Sequence, residues 1–234
     1  MSFKRPRDQA TTAAVVCLAL VYGGSMVGLT MAPAKVFGAE ELSRHEILTK
    51  LKRDISAIRT YRCSMRIESF EKEPPAVQDQ LFWYKAPGFM RILQRGPFRK
   101  GAVLVIRPDG SIRAHPGGVL SFVKVSLRPD DPRLLGVTGD SALTADYGSI
   151  VKAALDAEPT VRSSRVRPDH RDGRPVLVVE SYCEGPVSLY RMVVDTTRPA
   201  ILELERYKGA RLLSRVTWKD IVIDEDVPED LFDL

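Results

Sequence analysis

The chain of 234 residues is 44% hydrophobic and 28% charged, the composition of an ordinary globular protein of one or two domains. Its formal charge of +5 is uneven: Lys4, Arg5, Arg7 and Lys35 against Asp8 give residues 1–39 a net +3, leaving 31 basic against 29 acidic residues, +2, for the remainder. That remainder is too nearly neutral for a nucleic-acid-binding body, and no nucleic-acid partner is expected.

Residues 1–39 have the order of an export signal: a cationic start, an uncharged stretch from Gln9 to Ala34, then small residues. Cleavage after Ala34 or Ala39 would leave one mature domain over 40–234. The uncharged run is long for a signal core and approaches the length that crosses a bilayer, so an uncleaved anchor, with membrane contact through the N-terminus, is the alternative. Cys17 follows Val16 rather than a small residue, which makes a poor lipidation site. Either way the expected location is extracytoplasmic: periplasmic or otherwise exported, and held at the inner membrane if the leader is retained. Cys63 and Cys183 then sit where disulfides are permitted. A bridge between them would stabilise by roughly 2 to 4 kcal/mol; the other reading is two buried thiols, since cysteine packs like a small hydrophobe.

The first folded element opens at "SRHE" (Ser43–Glu46), which has capping-box form, and Ile47, Leu48, Leu51, Ile55 and Ile58 follow at helical spacing. From Tyr61 the period changes to two, with Tyr61, Cys63, Met65 and Ile67 on one face of a strand. Strand-like runs follow at "QLFWYKA", "GFMRILQR", "GAVLVIR", "SIRAH" and "VLSFVKVSL", most of them separated by proline and glycine. In "RPDGSIRAHPGG", Pro108-Asp109-Gly110 and Pro116-Gly117-Gly118 have turn chemistry on either side of a strand, which makes Asp109 a turn former and His115 a strand-end residue. Residues 128–145 read as an irregular crossing with a helical turn at 133–135. A second helix carries Tyr147, Ile150, Val151, Ala154 and Leu155 as one apolar stripe. The strand pattern resumes with "TVRSSRVR", "PVLVVESYC", "VSLYRMVVD", "AILELERY" and "RLLSRVTWKDIVI", with "PDHRDGRP" read as a turn, and the chain closes on "DEDVPEDLFDL". About ten strands and two helices are too few helices for βαβ alternation. The predicted class is α+β: a strongly curved antiparallel sheet, a half-barrel, with the two helices covering its concave side.

Catalytic signatures are missing from this pattern. His45, His115 and His170 share no metal-binding spacing, and neither a nucleophile elbow nor a phosphate-cradling glycine loop occurs. "GVTGDSALTADYG" places Ser141 beside Asp140, but small residues leading into a capped helix account for it equally. No catalytic residue, cofactor or metal is therefore expected, and a hydrolase using Ser141, Asp140 or His115 is the last of three functional readings. A curved sheet of this many strands encloses volume that two helices do not fill, which suits an apolar ligand. The residues expected to wall such a cavity are Tyr61, Met65, Ile67, Trp83, Met90, Ile92, Tyr147, Ile150, Val151 and Trp218.

Four stretches carry two family likenesses. Within residues 193–232, the stretch "VDTTRPAILELERYKGARLLSRVTWKDIVIDEDVPEDLF" runs strand, proline turn, strand, Gly-centred hairpin, strand, proline and terminal Phe. With the leader and the two helices they resemble the LolA/LolB/RseB-like superfamily of lipoprotein carriers and sensors. "YRCSMRIESFE", "GSIRAHPGG" and "SALTADYGSIVKAAL", in that order, resemble the DUF1571 family of exported bacterial proteins, whereas "FWYKAPGFMRILQRGPFRKGAV" matches that family's middle strands only loosely. The resemblance implies a non-enzymatic binding protein that holds a lipid, an acyl chain or a lipid-modified protein in its cavity. The alternative is an envelope sensor or scaffold that binds a protein partner. The family supplies no catalytic residue to carry over.

Overall fold

The computed structural model describes residues 42–120 and 122–234; the signal-or-anchor reading of residues 1–39 lies outside them. Helix α1 (Arg44–Ser56) is set by its cap: the Glu46 N–H donates to Ser43 Oγ, and the Ser43 N–H donates back to Glu46 Oε2 at 2.7 Å. Its buried stripe of Ile47, Leu48, Leu51 and Ile55 faces the sheet.

Among the described residues eleven strands then form one antiparallel sheet. The first six are β1 (Thr60–Ser69), β2 (Ala76–Lys85), β3 (Phe89–Gln94), β4 (Val103–Ile106), β5 (Ile112–His115) and β6 (Val125–Leu127). After helix α2 (Tyr147–Asp156) come β7 (Val161–Arg171), β8 (Arg174–Cys183), β9 (Leu189–Asp195), β10 (Ile201–Lys208) and β11 (Arg211–Ile223). The spatial order is β6-β5-β4-β3-β2-β1-β11-β10-β9-β8-β7, so every neighbour pair is consecutive in sequence except β1 with β11. Two meanders are thus joined through the first and last strands. The ladder ends at β6 and β7, which do not pair, and the sheet remains a half-barrel. Those edges are protected in different ways: β6 has three residues, and β7 carries Arg162, Arg165, Arg167, Arg171 and Pro168. Residues 128–160 lead from one edge to the other and include α2, which packs on α1.

Alternation assigns the two faces. Cys63 stands opposite Phe82, so Tyr61, Cys63, Met65, Phe82 and Tyr84 point to the helices. Trp83, one residue out of phase, points the other way, which corrects its expected place in the cavity wall. It packs on the convex face with Phe89, Val103, Val105, Val227 and Phe232. The "VPEDLF" ending is what covers that patch: Phe232 is buried there, and Arg91 donates to the Leu231 carbonyl at 2.6 Å.

Two further differences from the sequence reading have local causes. Among the described residues of "VLSFVKVSL", only Val125–Leu127 form a strand, because β5 offers partners only at Ile112–Ala114 and Gly118 turns the chain at φ +70°. His170 lies within β7, opposite Pro175, and the turn is confined to Asp172-Gly173, both at positive φ as a two-residue hairpin requires. Of the two readings open for Cys63 and Cys183, the structure has both as free thiols. Cys63 is on β1 and Cys183 at the end of β8, with β11, β10 and β9 between them. Four strand spacings of about 4.8 Å cannot be spanned by a bond that needs Cα atoms about 5.5 Å apart. Burial also pushes the Cys63 thiol pKa well up, which keeps it unreactive. Reductant is accordingly expected to leave the thermal midpoint unchanged, with native protein offering Cys183 before Cys63 to a thiol reagent. A midpoint several degrees lower under reductant would contradict this.

Candidate functional site

Where the concave face stands away from the helices it encloses an open cavity of about 840 Å³. Met65 and Ile67 of β1, Ile92 of β3, Met192 of β9, Leu204 of β10 and Val216 and Trp218 of β11 form its sheet side. Leu48, Ile150 and Ala154 come from the helices, and Leu134 and Leu135 from the crossing segment. Walls of this kind are apolar because alternate residues of each strand were fixed inward by the pleat.

Of the ten residues expected to wall a cavity, Met65, Ile67, Ile92, Ile150 and Trp218 line this one. Tyr61, Met90, Tyr147 and Val151 lie on the same side of the sheet but inside solid core. The reason is an aromatic column. Tyr84 stacks on Tyr61 with centroids 5.2 Å apart, Tyr61 on Tyr147 at 4.7 Å, and Tyr147 leans on Trp218 at 5.9 Å. The column fills the space between α2 and the sheet and is held by polar ends. The Tyr147 N–H donates to Tyr61 Oη at 3.0 Å, and Tyr147 Oη donates to the Ile201 carbonyl at 3.1 Å. Burial raises both phenol pKa values well above their ordinary range, so both stay neutral, Tyr61 as an acceptor and Tyr147 as a donor.

Sequence reasoning missed the polar residues of the cavity. Gln78 and Gln80 of β2 and Gln94 of β3 stand on its wall, the first two almost wholly buried. The Val137 N–H donates to Gln78 Oε1, which fixes that amide. Gln78 Nε2 then donates to Gln80 Oε1 at 2.8 Å, and Gln94 Nε2 donates to the same oxygen at 3.0 Å. This chain docks the crossing segment on the sheet. It is also why residue 136 is glycine, since a Cβ there would come within 2.9 Å of Gln78 Oε1. The signal was present in "AVQDQLF", where Gln78 and Gln80 share the parity of the inward Phe82.

Two arginines brace the opening. Arg44, buried at the start of α1, donates to Ser181 Oγ at 2.8 Å and to the Ala154 carbonyl at 2.5 Å, and pairs with Glu158. Arg206 of β10 holds Asp140 of the crossing segment at 2.9 Å. Asp140 is thereby committed, Ser141 caps a short helical turn by accepting from the Leu143 N–H, and His115 Nδ1 lies 3.2 Å from the Pro116 carbonyl. No hydrogen bond joins Asp140, Ser141 and His115 to one another among the described residues. Among those residues there is also no cluster of three or more His, Cys, Asp or Glu side chains placed to hold a metal ion.

A curved antiparallel half-barrel with an open, largely apolar concave cavity is the class of protein defined here. Solved structures share that fold at low sequence identity. MucB aligns with a TM-score of 0.54 at 12% identity, over 80% of this chain and 61% of that one. The Pseudomonas aeruginosa MucA/MucB complex gives 0.53 at 14% identity over 81% and 60%. An uncharacterized conserved protein from Thermus thermophilus gives 0.53 at 10% over 82% and 94%. The chain therefore spans about three fifths of the length of the MucB structures it is similar to. The sequence matches no protein-family model and no curated protein sequence.

Proposed function

We propose that this chain is an exported, non-enzymatic binding protein that holds a lipid, an acyl chain or a lipid-modified protein in the concave cavity. The observation that carries the reading is the open cavity of about 840 Å³ between sheet and helices, within the size range of ligand sites and walled mainly by aliphatic side chains and Trp218. Burying an acyl chain there would gain about 0.8 kcal/mol for each methylene removed from water. The site residues under this reading are Met65, Ile67, Ile92, Ile150 and Trp218, with Leu204 added. The export leader and the ending over residues 193–232 support a place in the LolA/LolB/RseB-like superfamily, and the quoted stretches between 61 and 157 a place near the DUF1571 family. No helix among the described residues is long and apolar enough to cross a membrane.

The test is uptake of the uncharged fluorophore N-phenyl-1-naphthylamine by the full chain, together with solvent extraction and mass spectrometry of what co-purifies. Saturable uptake is expected, with Leu204→Glu lowering it at least tenfold by placing a carboxylate in the apolar wall. Absence of both uptake and co-purifying lipid would count decisively against the reading. A protein partner is the second reading, favoured by the likeness in fold to MucB, which is seen in complex with MucA. Sequencing the mature N-terminus separates the two, since a retained Met1 region suits a tethered sensor better than a shuttle.

A further inference from the structure

The loop between β3 and β4 puts two exposed cations, Arg99 and Lys100, on the rim of the cavity. Arg133, from the crossing segment, stands on the same rim. Carboxylates neutralise the other basic groups that line the cavity: Arg44 pairs with Glu158, Arg206 with Asp140, and Arg133 with Asp131 at 2.7 Å. Arg99 and Lys100 have no carboxylate partner among the described residues. Counting Asp131, whose carboxyl Arg133 and Arg99 help to hold down at about 2, this side of the mouth carries a net +2.

The loop is also built rather than loose. Gly101 N–H donates to the Gln94 carbonyl at 2.8 Å, and Ala102 N–H to the Arg99 carbonyl at 2.9 Å. Gly117 packs so closely on it that a Cβ would meet the Lys100 carbonyl at 2.0 Å. Within the loop Arg99 takes φ +49°, the left-handed region that side-chain-bearing residues avoid. Its guanidinium lies 4.7 Å over the Phe98 ring and donates to the Arg133 carbonyl, which aims a planar cation at the mouth and leaves further N–H donors unused. A strained backbone that places an unneutralised arginine at the lip of an apolar cavity is an arrangement that a lone solvated side chain does not need.

We propose that the rim formed by Arg99, Lys100 and Arg133 is a head-group site, and that the cavity selects anionic amphiphiles, with the acyl chain inside and a carboxylate or phosphate at the lip. The inference rests on the acyl-binding reading above and adds the charge of the ligand. Arg99 and Lys100 supply charge-assisted hydrogen bonds in partial contact with water, where each such pair is modest.

Competition against N-phenyl-1-naphthylamine bound to the full chain tests it, with four ligands of one tail length kept below their micelle-forming concentrations. These are laurate, dodecyl phosphate, 1-dodecanol and dodecyltrimethylammonium. At low salt the better of the two anions is expected to displace the fluorophore at about one tenth the concentration that dodecanol needs, and the cation to be the weakest. The laurate and phosphate arms distinguish the two head groups. Raising the salt should shrink the gap. In R99E/K100E, two exposed positions outside the apolar wall, fluorophore uptake should persist while the anion preference disappears or reverses. Equal displacement by anion and alcohol, or a preference that survives the double substitution, would overturn the head-group site and leave the cavity reading standing. Failure of the fluorophore to enter wild-type protein overturns both.

Discussion

Tyr147→Ala is expected to lower the free energy of unfolding by about 4 kcal/mol, a large share of the 5 to 15 kcal/mol that a domain of this size has available. Tyr147 is 0% exposed and joins three parts of the molecule at once. Its ring stacks on Tyr61 of β1 and leans on Trp218 of β11, and its hydroxyl reaches the Ile201 carbonyl at the start of β10. Its backbone N–H caps the Tyr61 hydroxyl. Truncation therefore removes an aromatic ring from a site that cannot collapse, because the sheet fixes one side and α2 the other. Tyr147→Phe keeps the stack and loses only the bond to Ile201, at a cost of about 1 kcal/mol. Urea unfolding of the three proteins measures both. An alanine variant within 1 kcal/mol of the wild type would mean that the column does not hold α2 to the sheet. Since the Tyr147 ring lies in core rather than on the cavity wall, the phenylalanine variant should take up the fluorophore as the wild type does.

The same column shows where the sequence was legible and where it was not. Period-two spacing from Tyr61 to Ile67 assigned the inward face of β1 correctly, and the 3.6-residue stripe from Tyr147 to Leu155 assigned α2, because each pattern has one consistent phase. In "LFWYK" three aromatics are consecutive, so either parity buries something. Only pairing with β1, which sets Cys63 against Phe82, sends Trp83 outward. Which inward residues face empty space and which face a helix is not a property of the strand at all. Tyr61 and Met65 share one face of β1, yet Tyr61 meets the Tyr147 ring and Met65 meets the cavity, a difference made by where α2 lies. The rim loop was invisible for another reason. Arg99 and Lys100 sit in a turn-rich stretch where charges are common, and their isolation from carboxylates depends on strands far away in sequence.

On the convex face the sheet carries a row of directly opposed charges of alternating sign: Glu180 on β8, Arg191 on β9, Glu205 on β10, Arg215 on β11 and Glu68 on β1. Glu205, 1% exposed, is the centre, accepting from Tyr207 Oη at 2.7 Å, Arg215 Nε at 2.8 Å and Arg191 Nη1 at 3.2 Å. Burial alone would raise its pKa. The hydrogen bonds from Tyr207 and Arg215 and the two guanidinium charges outweigh burial and hold it below the ordinary value of 4.5. Because the folded-state pKa is the lower one, the stabilisation is fully present above that ordinary value and is lost as pH falls below it. Glu205→Ala is expected to cost about 3 kcal/mol at pH 7, since it takes the shared buried acceptor from Arg191 and Arg215 and leaves them only the outer carboxylates of the row, and Arg191 already has a buried Nε without a hydrogen-bond partner among the described residues. Glu205→Gln keeps an acceptor for Tyr207 while removing the charge, and its deficit against the wild type should shrink as pH falls from 7 to 3, where the wild-type carboxylate is itself being protonated. Chemical unfolding of both proteins across that interval measures the difference. A deficit that is constant with pH would show that Glu205 acts through packing and hydrogen bonding alone, and that the charge row contributes nothing to the acid limb of stability.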